Sequence, residues 1–366
     1  MTYRLPAFAL TLLLIGNACH TSRSITSPLR AATAETGLLT CFPAGTSLDN
    51  KPVWCEASAV LFDGQNIFVA NDKDMPTDLS PILQKTPANW FDTAQAPTYV
   101  AQAAYSAARK YEDFTQTPDG KFVLLTTAFD RVKPDSPDWD AYNTIMYWRR
   151  GDEQHPHVLM PAGQHTTSVG FRQKLARVLA PDQPNGVPYF KIEGLAATDR
   201  QLLFGIREMG QAFDKFNYVN KIVAVSYTVG KHNDEDRIQL FDDWRVLADF
   251  DPAAVQPSLP KPLGLSSLEY DPIHRCLWLL TSYEQDGKLD AYVWTSTLPE
   301  LKVGRPFQLV RGRGGKPLRF GHKAEDMTLL DRNRLLVIHD DDRVQTTVGK
   351  QTRQPNQAAF TIVTLN

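Results

Sequence analysis

A repeat constrains this chain more than any other feature. The segment IEGLAATDRQLLFGIREMG, residues 192–210, sets its grammar: a short polar or acidic residue, one spacer and an apolar residue, then a turn, then an apolar run that ends in charged or amide residues. Four more segments obey it: EASAVLFDGQNIFVANDKD from Glu56, YEDFTQTPDGKFVLLTTAFDR from Tyr111, LGLSSLEYDPIHRCLWLLTSYEQDG from Leu263 and KAEDMTLLDRNRLLVIHDDDR from Lys323. Each copy holds two strand signals, an apolar/polar alternation followed by a β-branched and aromatic run bounded by Gly, Asp or Asn turns. Successive copies leave room for two further strands, at 79–84 and 98–103, 143–148 and 157–160, 221–229 and 245–250, and 291–296 and 307–310. Four strands per repeat is the makeup of a propeller blade. The fifth copy finds only a third strand, 359–365, before the chain ends, and 37–42 has the right length to pair beside it. Closure by that N-terminal strand removes the edge an open array would expose. The expectation is an all-β, five-bladed β-propeller of four-stranded blades, a single domain over 37–366. A weakly helical stretch, 166–179, is expected to lie on one end.

Composition agrees and removes some functions. With 42% hydrophobic and 10% aromatic residues and 25 prolines, the chain suits short strands joined by turns. The formal net charge of −2 gives no nucleic-acid footprint and no broad attraction to acidic membranes. Residues 1–18 read as an export signal: Arg4 supplies the positive region, 6–15 the apolar run, and Gly16, Asn17 and Ala18 the small residues before a cleavage point. Cleavage before Cys19 with lipidation of its thiol makes a bacterial cell-envelope lipoprotein; Gly16 departs from the Leu usual in that motif, and a plain secreted protein is the alternative. Membrane attachment is expected only through Cys19, with 19–36 as a flexible tether and the protein a monomer. In an oxidising compartment Cys41 and Cys55 can form a disulfide, whereas Cys276, inside an apolar run, reads as a buried inert thiol.

The propeller geometry says where chemistry belongs. The first strand of each blade lines the central channel, and the loops leaving the second strand open on the face where the first begins. Aligned on Val60, Phe114, Leu195, Leu268 and Met327, the five copies place Ser58, Glu112, Glu193, Ser266 and Glu325 in equivalent positions, spaced by 54, 81, 73 and 59 residues. Three carboxylates converging on one axis repel unless protons or a cation compensate them. An all-oxygen set of this kind suits calcium, which takes six to eight such ligands at flexible angles; zinc prefers His or Cys. The alternative is structural: the same residues accept backbone hydrogen bonds between neighbouring blades.

The order Ser, Glu, Glu, Ser, Glu resembles the calcium-activated nucleotidases, or apyrases, which are five-bladed propellers with calcium in the channel. Residues 264–270, GLSSLEY, are similar to that family's Gly-Phe-Ser-Ser-Phe segment, and 191–193 and 323–325 resemble its glutamate segments. More loosely, the chain is similar to exported phytase-like propeller proteins. The resemblance implies calcium held by Ser58, Glu112, Glu193, Ser266 and Glu325.

Reactive groups are expected at the second-strand ends: Asn71 to Asp74, Asp130 and Arg131, Arg207 and Glu208, Glu284 and Gln285, and His339 to Arg343. Among them Arg207 is the anion clamp, and Asp72 and Asp340 are the base or metal-ligand candidates. The function expected is hydrolysis of a phosphate ester or anhydride on a small-molecule substrate at the channel mouth. The alternatives are a non-catalytic ligand- or partner-binding propeller with a structural calcium, and a lactonase- or arylesterase-like hydrolase. No GxSxG elbow, HExxH helix or dinucleotide fingerprint occurs.

Overall fold

The computed structural model describes residues 29–76, 79–86, 97–100, 105, 108–133, 136–161, 167–232 and 235–365. The expected signal, Cys19 and the first part of the expected tether lie outside these residues.

Five antiparallel sheets form the fold, with inner strands Ala57–Phe62, Tyr111–Gln116, Tyr189–Ala197, Gly264–Asp271 and Ala324–Asp331; the blades are numbered one to five in that order. Runs such as Phe122–Thr127, FVLLTT, are buried at every position, because each blade presses a neighbour on both faces and neither side of the pleat reaches water. Five large apolar clusters among the described residues lie between neighbouring blades. One example joins Leu61, Phe68 and Ala70 of blade one to Phe114, Leu125 and Trp148 of blade two, and another joins Val69 of blade one to Leu336 and Ile362 of blade five. Each fully buried Leu, Ile, Val or Phe contributes roughly 1.5–3 kcal/mol. The fold is therefore held by interfaces between blades and has no single central core.

Blade five is completed by the N-terminal strand. Ala31–Thr40 pairs antiparallel with Gln357–Leu365, Gly37 opposite Phe360, with a bulge between Thr33 and Glu35. Gly37 is required there, since an added Cβ would stand 2.6 Å from the Phe360 ring. The strand begins six residues ahead of the expected boundary at 37. Its first half is an exposed outer edge and carries no apolar alternation to announce it. Cys41 and Cys55 form the disulfide, with Cα atoms 6.1 Å apart, fastening the end of the closing strand to the entry into blade one. Cys276 is a buried free thiol, and burial pushes it up to about 12.

Blade three departs from the expected four strands. Its third strand, Lys215–His232, is long enough to pair with Arg245–Asp249 at one end and with an extra strand, Glu235–Leu240, at the other. The helix Val169–Leu179 buries Phe171, Leu175 and Leu179 against blades two and three, and Arg172 donates to the carbonyl of Phe129.

Candidate functional site at the channel mouth

Pairing between the inner and second strands breaks at an equivalent place in every blade. In blade one Ala57 faces Asn71 and Ala59 faces Ala70, which leaves Ser58 unpaired. The same slip leaves Glu112 between Tyr111 and Asp113, Glu193 between Ile192 and Gly194, Ser266 between Leu265 and Ser267, and Glu325 between Ala324 and Asp326. A β-bulge inserts one residue and re-aims its side chain. The five positions expected to surround the channel are thus the five bulge residues, and all are buried. Their charges act on one another: Glu193 opposes ionisation of both Glu112 and Glu325, while Arg207 favours ionisation of both Glu193 and Glu325.

Lysine ammonium groups compensate the three carboxylates. Lys110, Lys191 and Lys323 each stand two residues ahead of a bulge glutamate. Lys191 Nζ is 3.2 Å from Glu112 Oε1 and also bonds Glu193, and Lys323 Nζ is 2.7 Å from Glu325 Oε1. Lys110 Nζ is 4.0 Å from Glu112 Oε1 and 2.6 Å from Asp130 Oδ2. Burial opposes ionisation of Glu193, yet Lys191 and Arg207 hold its carboxyl down at about 2. Burial prevails at Glu325, which is pushed up to about 7 despite Lys323, and at Glu112, which burial and Glu193 hold well above the carboxylate range. The lysine side chains stay 12–19% exposed, so solvent reaches the mouth.

The two serines among the five expected ligands are held as well. Besides the lysine pairings, Ser266 Oγ accepts from Arg207 Nη1 at 2.8 Å and lies 2.7 Å from Ser282 Oγ, and Ser58 Oγ donates to the carbonyl of Glu56 at 3.3 Å. Ammonium groups thus stand beside the three carboxylates, while Glu112 Oε1 is buried without a hydrogen-bond partner.

The three expected catalytic residues occupy different surroundings. Arg207, on the second strand of blade three, is buried against blade four; its Nη1 also donates to Leu265 O at 3.2 Å and Ser282 Oγ at 2.9 Å, and its guanidinium lies over Tyr218. Gly264 makes this possible, since a Cβ there would fall 2.7 Å from Tyr218 and 3.0 Å from Arg207. Asp72 and Asp340 meet at the seam of blades one and five. Asp72 Oδ2 accepts from Lys73 at 2.9 Å, and its Oδ1 is buried without a hydrogen-bond partner. Asp340 Oδ1 accepts from the amide of Asp342 at 2.9 Å. Sequence reasoning gives no role to Lys110, Lys191 and Lys323 or to Glu56. The lysines could have been found, because Lys-x-Glu opens three of the five repeats.

The structural role considered for the glutamates falls on their neighbours. Asp113 Oδ2 accepts from the amides of Leu195 at 2.7 Å and Leu268 at 3.2 Å; Asp326 accepts from the amide of Val60 and from Ser267 Oγ, each at 2.6 Å. Thr115 and Thr328 likewise receive Ala197 and Phe62. Asp113 and Asp326, both fully buried, also bond each other. Below the glutamates, a carboxyl pair therefore ties together all five blades.

Cavities flank this centre. One of about 360 Å³ lies between blades one and two, lined by Asn71, Lys73, Tyr105, Arg109, Lys110 and Tyr111. A larger one, about 740 Å³, lies away from the mouth beside Thr117, Arg200, Tyr227 and Phe241. His155 and His157 sit on the outer rim, paired with Asp152 and Arg237.

No protein-family model and no curated protein matches the sequence. Among solved structures, the chain is similar to an α-L-arabinofuranosidase from Podospora anserina, at TM-score 0.42 and 9% identity over 94% of this chain and 99% of that one. The catalytic domain of a Coprinopsis cinerea α-L-arabinofuranosidase gives 0.41 and 9% over 92% and 97%, and a glycosyl hydrolase from Bacteroides ovatus gives 0.41 and 9% over 88% and 93%. At this level the likeness is one of overall architecture alone.

Proposed function

We propose that this protein is a hydrolase acting at the channel mouth, on a phosphate ester or anhydride. The observation that carries the reading is the fivefold bulge, which gathers Glu112, Glu193 and Glu325 beside partly exposed lysines and splits their affinities for protons. Groups driven apart in this way divide naturally into acid and base roles. Glu325, near 7, is the proton donor to the leaving oxygen, and Glu193, ionised throughout the physiological range, orients the attacking water. The cavity lined by Lys73, Arg109 and Lys110 offers three cations to phosphoryl oxygens. Arg207 then serves to position blade four against Glu193 and Glu325.

Turnover of nucleotides, phytate and an aryl phosphomonoester by the purified protein tests the reading, with aryl glycosides, aryl esters and lactones as comparators. Turnover of a phosphate substrate is expected to fall as pH rises through about 7, where Glu325 loses its proton. Glu325→Gln should lower kcat by about 10²–10⁴ with folding unchanged. Turnover of a comparator alone replaces the substrate class, and turnover of none removes the hydrolase reading. The second reading, a propeller that binds a ligand without converting it, is favoured by Arg207, whose Nη1 is spent on three contacts within the fold.

A further inference from the structure

We propose that the seam where the ring closes binds a hard divalent cation, calcium before magnesium, through Glu56, Asp340 and Asp342 with Asp72 beside them, off the channel axis. Glu56 stands directly ahead of the inner strand of blade one, and Asp340 and Asp342 follow the second strand of blade five, Arg334–His339. These first and last blades bring the three carboxylates to positions where one oxygen of each lies within 4.8 Å of the others. Ligands on opposite sides of a calcium ion stand about 4.6–5.2 Å apart, so the three can share one ion without rearrangement. With oxygen ligands alone, the group favours a hard cation over zinc or copper.

Asp72 is a separate indication of a ligand. Its side chain is only 9% exposed, and its Oδ1 is buried with no hydrogen-bond partner. Its amide donates to the carbonyl of Glu56 at 3.1 Å, and Lys73 Nζ joins its carboxylate to that of Glu56, which puts the Asp72 carboxylate beside the group. A buried carboxylate oxygen left in that state is costly, and a cation removes the cost. The charges now facing the site reach it from the surface. Lys73, 44% exposed, bridges Glu56 Oε2 at 2.7 Å and Asp72 Oδ2 at 2.9 Å; Arg343, more exposed still, comes within 3.6 Å of Glu56 Oε1. Lysine and arginine side chains of this kind can swing away when a metal arrives. Lys323, 3.2 Å from Asp342, remains as part of the mouth. The loop itself is held: Asp342 has a φ of 48°, and the buried Arg353 donates to its carbonyl.

The experiment is calcium and magnesium titration of the EDTA-treated full chain by calorimetry and by thermal melting, and it needs no turnover. Calcium should bind and raise Tm, magnesium more weakly. Asp342→Asn should weaken calcium at least tenfold. Lys73→Gln, which removes the competing ammonium and leaves the carboxylates in place, should bind calcium more tightly; this decides the matter even if Asp342→Asn folds poorly. Glu193→Gln, on the axis, should bind as wild type does. Absence of binding overturns the site, as does a Lys73→Gln affinity no better than wild type. Loss of binding in Glu193→Gln but not in Asp342→Asn would move the cation to the axis and equally overturn it.

Discussion

Arg207 holds more together than a residue at a strand end ordinarily does. One nitrogen serves Leu265 O, Ser266 Oγ and Ser282 Oγ, while its charge helps keep Glu193 ionised. Arg207→Met would strand two buried hydroxyls and a buried carboxylate, for an expected loss of about 3–5 kcal/mol in urea unfolding. Arg207→Lys should recover little, because a single ammonium cannot reproduce the planar fork. A Met variant within 1 kcal/mol of wild type would show that the neighbouring lysines can replace it. The residue's place at the mouth was legible, since the apolar run of its repeat ends there. Its partners were not: Ser266 and Ser282 lie on another blade, and the contact depends on the missing side chain of Gly264.

At the scale of the strand, the repeat revealed the polar position opening each inner strand but not the bulge that aims it. A bulge depends on the partner strand's register, and register is a property of two segments together. The extra strand of blade three stayed hidden for a related reason, since Glu235–Leu240 is largely polar and pairs only with the protruding end of a long neighbour. The disulfide was legible from two cysteines flanking a short loop, and it makes a prediction about the closing strand. Cys41 and Cys55 are 14 residues apart, a loop whose cross-link is worth about 3 kcal/mol. Replacing both by Ser should lower unfolding free energy by about 2–4 kcal/mol. Hydrogen exchange should rise first in Ala31–Thr40 and its partner Gln357–Leu365. Uniform loss of protection across all five blades would mean that the bridge braces the whole ring and not this strand.

The ring as a whole depends on the paired carboxyls of Asp113 and Asp326. Between them they accept amides from blades one, three and four, and the bond they make to each other requires a proton. Burial pushes Asp326 up to about 8 and, with the charge of Asp326, holds Asp113 well above the carboxylate range. Unfolded aspartates give up their protons near pH 4. The folded state therefore binds the extra proton between about pH 4 and 8, and its stabilising contribution is complete below that window and lost as pH rises through 8. Unfolding free energy measured from pH 5 to 9 should fall throughout. Asp113→Asn supplies a permanent N–H donor toward Asp326 and should flatten the slope without abolishing it, because Glu112, Glu269 and Asp340 are also pushed up by burial and act in the same direction. An Asp113→Asn profile as steep as wild type would place the titration in those three groups. The paired aspartates would then be braces that bear no part of the pH dependence.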